Sequence, residues 1–298
     1  MHNMVTVSAI EETVAERFSH LFDSGSRRVS TEIMRDHAVK QAIATMRERF
    51  HEPLTLQDIA DVAQLSPFHF NRVFRSMIGL PPSVYLAAIR IEQAKKLLLT
   101  TDLSVTNVCF DVGYKSLGTF TTRFTQFVGT TPTGLRQLAH DEMMYSPIQS
   151  LHDLLSNVHV FQNNAHGASV QGTTNVSVPF SGLIFIGIFT DPLPQSQPIG
   201  CTLLTASGSY SIPPVPDGQY YLFATALHYS EDFFTSLVRG TKLRSSFGLP
   251  ISICHGRAKE HAHLTLCPDR WTDPPILVAL PWLIFSRLTT RCQIAATS

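Results

Sequence analysis

The chain repeats itself once, at a period of 50 residues, and this repeat limits the fold of the first half more than any other feature. The first copy reads Phe70-x-Arg72-x-Phe74, then Gly79 and Pro82. The second reads Phe120-x-x-Arg123-Phe124, then Gly129 and Pro132. Upstream, Ile59-Ala60 corresponds to Val108-Cys109, with one extra residue near Lys115 in the second copy. A match over about 30 residues with one register shift implies two copies of a single supersecondary unit.

In the first copy, Thr55 is placed to cap a helix, with Asp58 where a capping-box acid belongs. Leu56, Ile59, Ala60 and Ala63 form its expected buried stripe, and small Ala60 admits a second helix. Gln64-Leu65 is a short turn. Ser66 caps the next helix, with Pro67 at its first position. Phe70, Val73, Phe74 and Met77 point inward; Phe68, His69, Asn71, Arg72 and Arg75 point outward; Gly79 stops the helix. Two short helices joined by a tight turn let the second enter a DNA major groove. Arginine bonds guanine bidentately, asparagine does the same with adenine, and an aromatic ring packs on a thymine methyl.

A long helix, Ser83–Leu99, joins this copy to the second. There, a helix over Ser104–Val112 and a turn at Gly113-Tyr114-Lys115 precede a helix over Ser116–Val128. Its outward set is Ser116, Leu117, Thr119, Thr121 and Thr122, with Arg123 near the edge. Threonines touch phosphates or thymine methyls but specify bases poorly. The first copy is therefore expected to carry more of the sequence readout.

Charge adds little. The 298 residues carry 23 Lys+Arg against 23 Asp+Glu. Between Asp36 and His140 the count is 11 basic and 8 acidic side chains, 11 − 8 = +3. Phosphate contact must come from placement rather than bulk charge. The five cysteines, Cys109, Cys201, Cys254, Cys267 and Cys292, make no disulfide framework and suit a reduced, cytoplasmic setting. The N-terminus lacks a basic segment followed by an apolar run, so no signal peptide is expected. The apolar runs Leu183–Phe189 and Ile276–Phe285 are short of the roughly 18 residues of a membrane span, and no membrane partner is expected.

Residues 1–34 read as an arm with a short amphipathic helix near Ile10–Phe22, and 35–142 as the double unit. Residues 143–175 read as a helix end and linker, and 176–290 as an all-β sandwich: Leu183–Phe189, Ile199–Leu204 and Tyr220–Ala224 alternate or run apolar between Gly/Pro/Asp/Ser turns. The fold class is thus a multidomain chain, all-α first and all-β second. Cys254, His261, His263 and Cys267 form a weak metal-ligand pattern, since His261 and His263 share one face of a strand. No phosphate-loop, nucleophile-elbow or zinc-protease motif is present, so no enzyme activity and no cofactor are expected.

Residues 36–140 resemble the AraC/XylS family of bacterial transcription regulators. The resemblance rests on Ser66-x3-Phe70-x-Arg72-x-Phe74-Arg75-x3-Gly79-x2-Pro82-x2-Tyr85-Leu86, on Arg90-Ile91-x2-Ala94-x2-Leu97-Leu98, and on Gly113-Tyr114-x5-Phe120-x3-Phe124-x4-Gly129-x2-Pro132-x3-Arg136. It implies a DNA-binding regulator with two recognition helices in successive major grooves of double-stranded DNA. The base-reading positions would fall on Phe68, Asn71, Arg72 and Arg75, then on Gly118, Thr119 and Thr122. The family usually has arginine where Thr122 stands; here Arg123 follows, rotated by about 100° around the helix. RNA polymerase is a plausible partner. Most members carry the DNA-binding unit last; here it comes first, which implies that the β half binds a small-molecule effector, dimerises or contacts a partner. Gly208-x-Tyr210-x-Ile212-x-x-Val215-Pro216-x-Gly218-x-Tyr220-x-Leu222-x-Ala224 resembles transthyretin-like modules that regulate carboxypeptidases.

Overall fold

The computed structural model describes residues 32–149, 168–239, 243–245, 250–254, 257–258 and 262–279. The expected helix near Ile10–Phe22 lies outside them. The described residues begin with seven α-helices: α1 (32–48), α2 (Leu56–Val62), α3 (Pro67–Ile78), α4 (Pro82–Thr100), α5 (Val105–Asp111), α6 (Leu117–Val128) and α7 (Pro132–Ala139). Helix α1 includes residues 32–34, inside the segment read as an arm.

The expected local signals are at work. Thr55 and Asp58 form a reciprocal capping box at α2, and the Thr55 backbone N–H holds the Asp58 carboxyl below its ordinary pKa. Ser104 and Ser116 cap α5 and α6 through their hydroxyls. Ser66 takes the N-cap backbone conformation without a side-chain bond, so α3 starts on Pro67, whose ring presets the helical φ. Gly79 and Gly129 end α3 and α6 in the left-handed conformation.

Two positions expected inside are not. Leu56, at the first residue of α2, is 40% exposed because it lies beyond the reach of α3. Met77, in the last turn of α3, is 42% exposed and lines a cleft against α1 instead of the core.

The β half holds strands β1 (Ala168–Val176), β2 (Gly182–Phe189), β3 (Gly200–Leu204), β4 (Ser209–Val215), β5 (Gly218–His228), β6 (Leu243–Ser245), β7 (Ile251–Cys254), β8 (Arg257–Ala258) and β9 (Ala262–Pro268), with helix α8 (Phe233–Arg239) between β5 and β6. β1 occupies part of the stretch read as linker, because its alternating Val170 and Thr174 face inward despite the polar composition around them. The α-then-β division is as the sequence implies. The nine strands belong to one sheet, ordered β3-β2-β5-β6-β9-β1-β4, with β7 and β8 branching from β5. That sheet wraps around a single core, to which β1, β2, β4, β5, β7 and β9 all contribute. β4 and β5, the two strands of the Tyr210–Ala224 pattern, are not sheet neighbours. They meet across the core through Tyr210, Ile212, Tyr220 and Leu222.

β2 explains its unbroken apolar run. Ile184, Ile186 and Ile188 face the inside of the wrapped sheet; Phe185 and Phe189 face its outside, and Leu183 joins the core of the helical half. A strand buried on both faces has no polar side to show. The helical and β halves therefore share a core, in which Phe120, Phe124 and Val128 pack with Leu183, Leu227, Phe233 and Leu277.

Residues 271–279 run as a strap along this seam. Their side chains alternate: Ile276 and Val278 lie on the sheet with Phe185 and Phe223, while Leu277 and Ala279 lie on the helices. Donors from the helical half reach the strap's main-chain carbonyls. Arg47 donates to Trp271 and Asp273 (3.3 and 3.2 Å), the Tyr85 hydroxyl to Thr272 (3.1 Å), and Lys95 Nζ to Ile276 and Leu277 (3.3 and 3.0 Å). The Ala279 N–H donates to the Val128 carbonyl at the end of α6 (3.0 Å). From the sheet, Arg244 donates to the Pro274 carbonyl at 2.6 Å.

Lys95 is 4% exposed, and burial pushes its amine from 10.5 down to about 8. Glu92 opposes that shift and Lys96 adds to it. A depressed lysine binds fewer protons folded than unfolded between the two values, so its contribution to stability rises with pH across that window. The urea-unfolding free energy of the wild type minus that of Lys95→Met should increase by on the order of 2 kcal/mol between about pH 7 and pH 9.5. A difference that stays flat would show that the ammonium is not desolvated.

Candidate nucleic-acid interface

In each unit a pair of phenylalanines one helical turn apart turns the second helix so that a fixed set of residues points away from the core. Phe70 and Phe74 pack at 5.5 Å between ring centroids, with Tyr85 edge-on to Phe74. Phe120 and Phe124 repeat this at 5.6 Å, with Tyr114 against Phe120. All four phenylalanines are fully buried. Positions one, two and five residues after Phe70 then face outward on α3.

On α3, Phe68 is 82% exposed, Asn71, Arg72 and Arg75 are exposed, and His69 is half-buried. A phenyl ring this bare contributes little to the core. Among the described residues, the Asn71, Arg72 and Arg75 side chains have no hydrogen bond or ion pair, which leaves their donors free. Arg72 also lines the cleft between α1 and α3, together with Glu32, Arg35, Asp36 and Ser76.

On α6, Ser116, Gly118, Thr119, Thr122 and Arg123 are all exposed. The Ser116 Oγ accepts from the Thr119 N–H at 3.4 Å, so its lone pair is engaged in capping while its O–H remains a donor. Gly118 takes the place that Phe68 has on α3, and a side chain there would meet only the Ser116 Oγ, at 3.9 Å. Arg123 corresponds to Val73, which is buried. The arginine thus projects from the flank of α6, where its charge favours ionisation of the Tyr114 hydroxyl against the upward push of burial.

The β half docks away from this surface. The Ser196 N–H and hydroxyl both donate to the Gln126 carbonyl at 2.8 Å, and Ala279 meets Val128, both at the C-terminal end of α6. Neither of these contacts involves the outward N-terminal residues of α3 and α6.

Two arginines that appear in the sequence motifs without an assigned task turn out to be structural clamps. Arg90 on α4 donates to the carbonyls of Phe50 and Glu52, both at 2.7 Å, ahead of α2. Arg136 on α7 donates to the carbonyls of Leu98 and Leu103 ahead of α5, at 3.4 and 2.5 Å. Each unit thereby ties its closing helix back to the loop that opens it. Sequence reasoning missed this role because a main-chain carbonyl acceptor has no side-chain signature.

Of the weak metal-ligand candidates, the described ones do not gather at one point. Cys254 ends β7, which pairs with β5 and β8, and Cys267 lies on β9, between β6 and β1. His263 Nδ1 pairs with the Thr173 hydroxyl, and His261 lies outside the described residues. Among the described residues no three His, Cys, Asp or Glu side chains gather at one point. No described helix is long and apolar enough to cross a membrane.

Residues 59–138 match the family model described as a helix-turn-helix domain. The bifunctional transcriptional activator/DNA repair enzyme AdaA of Bacillus subtilis (strain 168) is 32% identical over 99 residues, 33% of this chain and 47% of its own length. The melibiose operon regulatory protein of Escherichia coli (strain K12) is 27% identical over 109 residues, 37% of this chain and 36% of its own. The crystal structure of the DNA-binding domain of AdpA, a global transcriptional factor, in complex with a target DNA aligns at 31% identity over 34% of this chain and 90% of that one, with a TM-score of 0.33. The chain spans less than half the length of these curated relatives.

Proposed function

We propose that this chain, whose residues 59–138 are a helix-turn-helix domain of the AraC/XylS type, is a sequence-specific transcription regulator that lays α3 and α6 into successive major grooves of double-stranded DNA. The observation that carries the reading is the pair of matched helices whose outward residues, mostly polar and exposed, are not covered by the described part of the β half. Asn71 and Arg72 read base edges, Phe68 packs on a thymine methyl, and Arg75 and His69 hold the backbone nearby. Thr119, Thr122 and Ser116 grip phosphates at the second groove, where Gly118 lets the duplex come close. Arg123 is kept for a flanking phosphate. The β half supplies regulation, through a small-molecule effector, dimerisation or contact with RNA polymerase. The protein works in the cytoplasm and is not an enzyme.

Sites selected by the full-length chain from a random DNA pool test this reading. Arg72→Ala should weaken the selected site by about 1–3 kcal/mol and relax base preference at one position. Thr122→Ala should weaken all sequences nearly alike and flatten the salt dependence. Equal affinity of the wild-type chain for every sequence would overturn the proposal.

A further inference from the structure

We propose that the strap at residues 271–279 sets the distance between the two recognition helices, and that Arg47, Tyr85 and Lys95 are positioning residues for DNA recognition. The inference rests on the DNA-binding reading above, and its observations are separate from it. The strap touches every body that has to be held in register. Arg47 on α1 and Tyr85 at the start of α4 belong to the first unit, and the Tyr85 ring packs against Phe74, the inner anchor of α3. Lys95 sits further along α4, and Val128 closes α6 in the second unit.

The bonds fit a positioning role. Every strap acceptor that these helical-half side chains reach is a main-chain carbonyl between Trp271 and Leu277, so the helical half holds the strap's path rather than its side chains. The side chains are left free to interleave, with Ile276 and Val278 on the outer face of the sheet and Leu277 in the helical core. Arg244, itself buried, grips the same segment from β6 at Pro274. A displacement of β2, β5 or β6 is thus passed through a rigid, doubly packed segment to the roots of both recognition helices. Interiors this closely packed do not absorb such a shift by deforming smoothly.

Two substitutions separate positioning from mere folding. Tyr85→Phe removes one hydroxyl and keeps the ring in its core; Lys95→Met removes two hydrogen bonds and fills the same stem volume. In free full-length protein, without exposed cysteines other than those introduced at Ser76 and Lys115, spin labels on these two exposed positions report the separation of the units. A single narrow distance distribution is expected for the wild type, and a broadened or shifted one for either variant. On DNA, the wild type should discriminate sharply between its selected site and the same site with one base pair inserted between the two grooves. Both variants should lose about tenfold of that discrimination while binding the first-groove half-site alone with unchanged affinity. Unchanged label distances in both variants overturn the strap proposal whatever the DNA result. A wild-type chain with no DNA preference overturns the DNA-binding reading and leaves the distances to decide the strap.

Discussion

Truncating Phe124 to alanine should cost about 3–5 kcal/mol and destabilise both halves of the molecule together. The side chain is fully buried in a core that also contains Leu183, Leu227, Leu237 and Leu277 of the β half. The corresponding Phe74 is equally buried, but its core is made by α1 to α4 alone. Phe74→Ala should therefore lose a similar amount locally, melting the first unit ahead of the rest. Urea unfolding followed in parallel by far-ultraviolet circular dichroism and by tryptophan fluorescence distinguishes the two. Phe124→Ala should move one common transition; Phe74→Ala should split it. A single-domain stability is typically only about 5–15 kcal/mol, so either loss removes a large share of it. If Phe124→Ala left the transition of the sheet untouched, the shared core would have no energetic meaning.

Gly113→Ala should be the most damaging of the single-methyl changes in the helical half. Gly113 has φ +84°, and an added Cβ would stand 2.6 Å from the carbonyl oxygen of His51 and 2.9 Å from its carbon. Left-handed strain and a backbone clash add, for an expected loss of about 3 kcal/mol or more. Gly79 is the control. Its φ is +81°, yet nothing lies within 4 Å of an added Cβ, so Gly79→Ala should cost only about 1 kcal/mol of strain. The contrast matters for function because the contact at Gly113 joins the two units. The loop that carries His51 is the one that Arg90 holds through Phe50 and Glu52, and Arg90 also lies over the Tyr114 ring. Thermal unfolding of the two variants decides the point, and equal losses would mean that the loop yields easily.

Much of the helical half could be read in advance because its determinants are local. Thr55 and Asp58 cap within one turn, Pro67 and Gly79 bracket α3, and the four phenylalanine anchors fix which residues face out. The candidate interface was legible for the same reason, since on a helix the burial of Phe70 and Phe74 dictates the exposure of Asn71, Arg72 and Arg75. Failures came where a position's surroundings are supplied by distant segments. Leu56 and Met77 carry apolar side chains at the correct spacing, but each lies at a helix end where no neighbour covers it. By sequence the β1 segment reads as linker, because a run such as Gly172-Thr173-Thr174-Asn175 becomes a strand only when β4 and β9 lie on either side.

The 50-residue repeat by itself determines two like helical units, the order of their helices and the residues each turns outward. These depend on interactions across three or four residues. The tertiary structure alone decides that the units are unequal partners of the sheet. The second shares its core with β2 and α8, the first is held by Arg47 and Tyr85 on the strap, and Lys95 is buried between them. No pattern in the sequence marks a lysine whose acceptors are main-chain carbonyls some 180 residues away. Such bonds use groups that every residue carries, so only the folded path of the chain can select them.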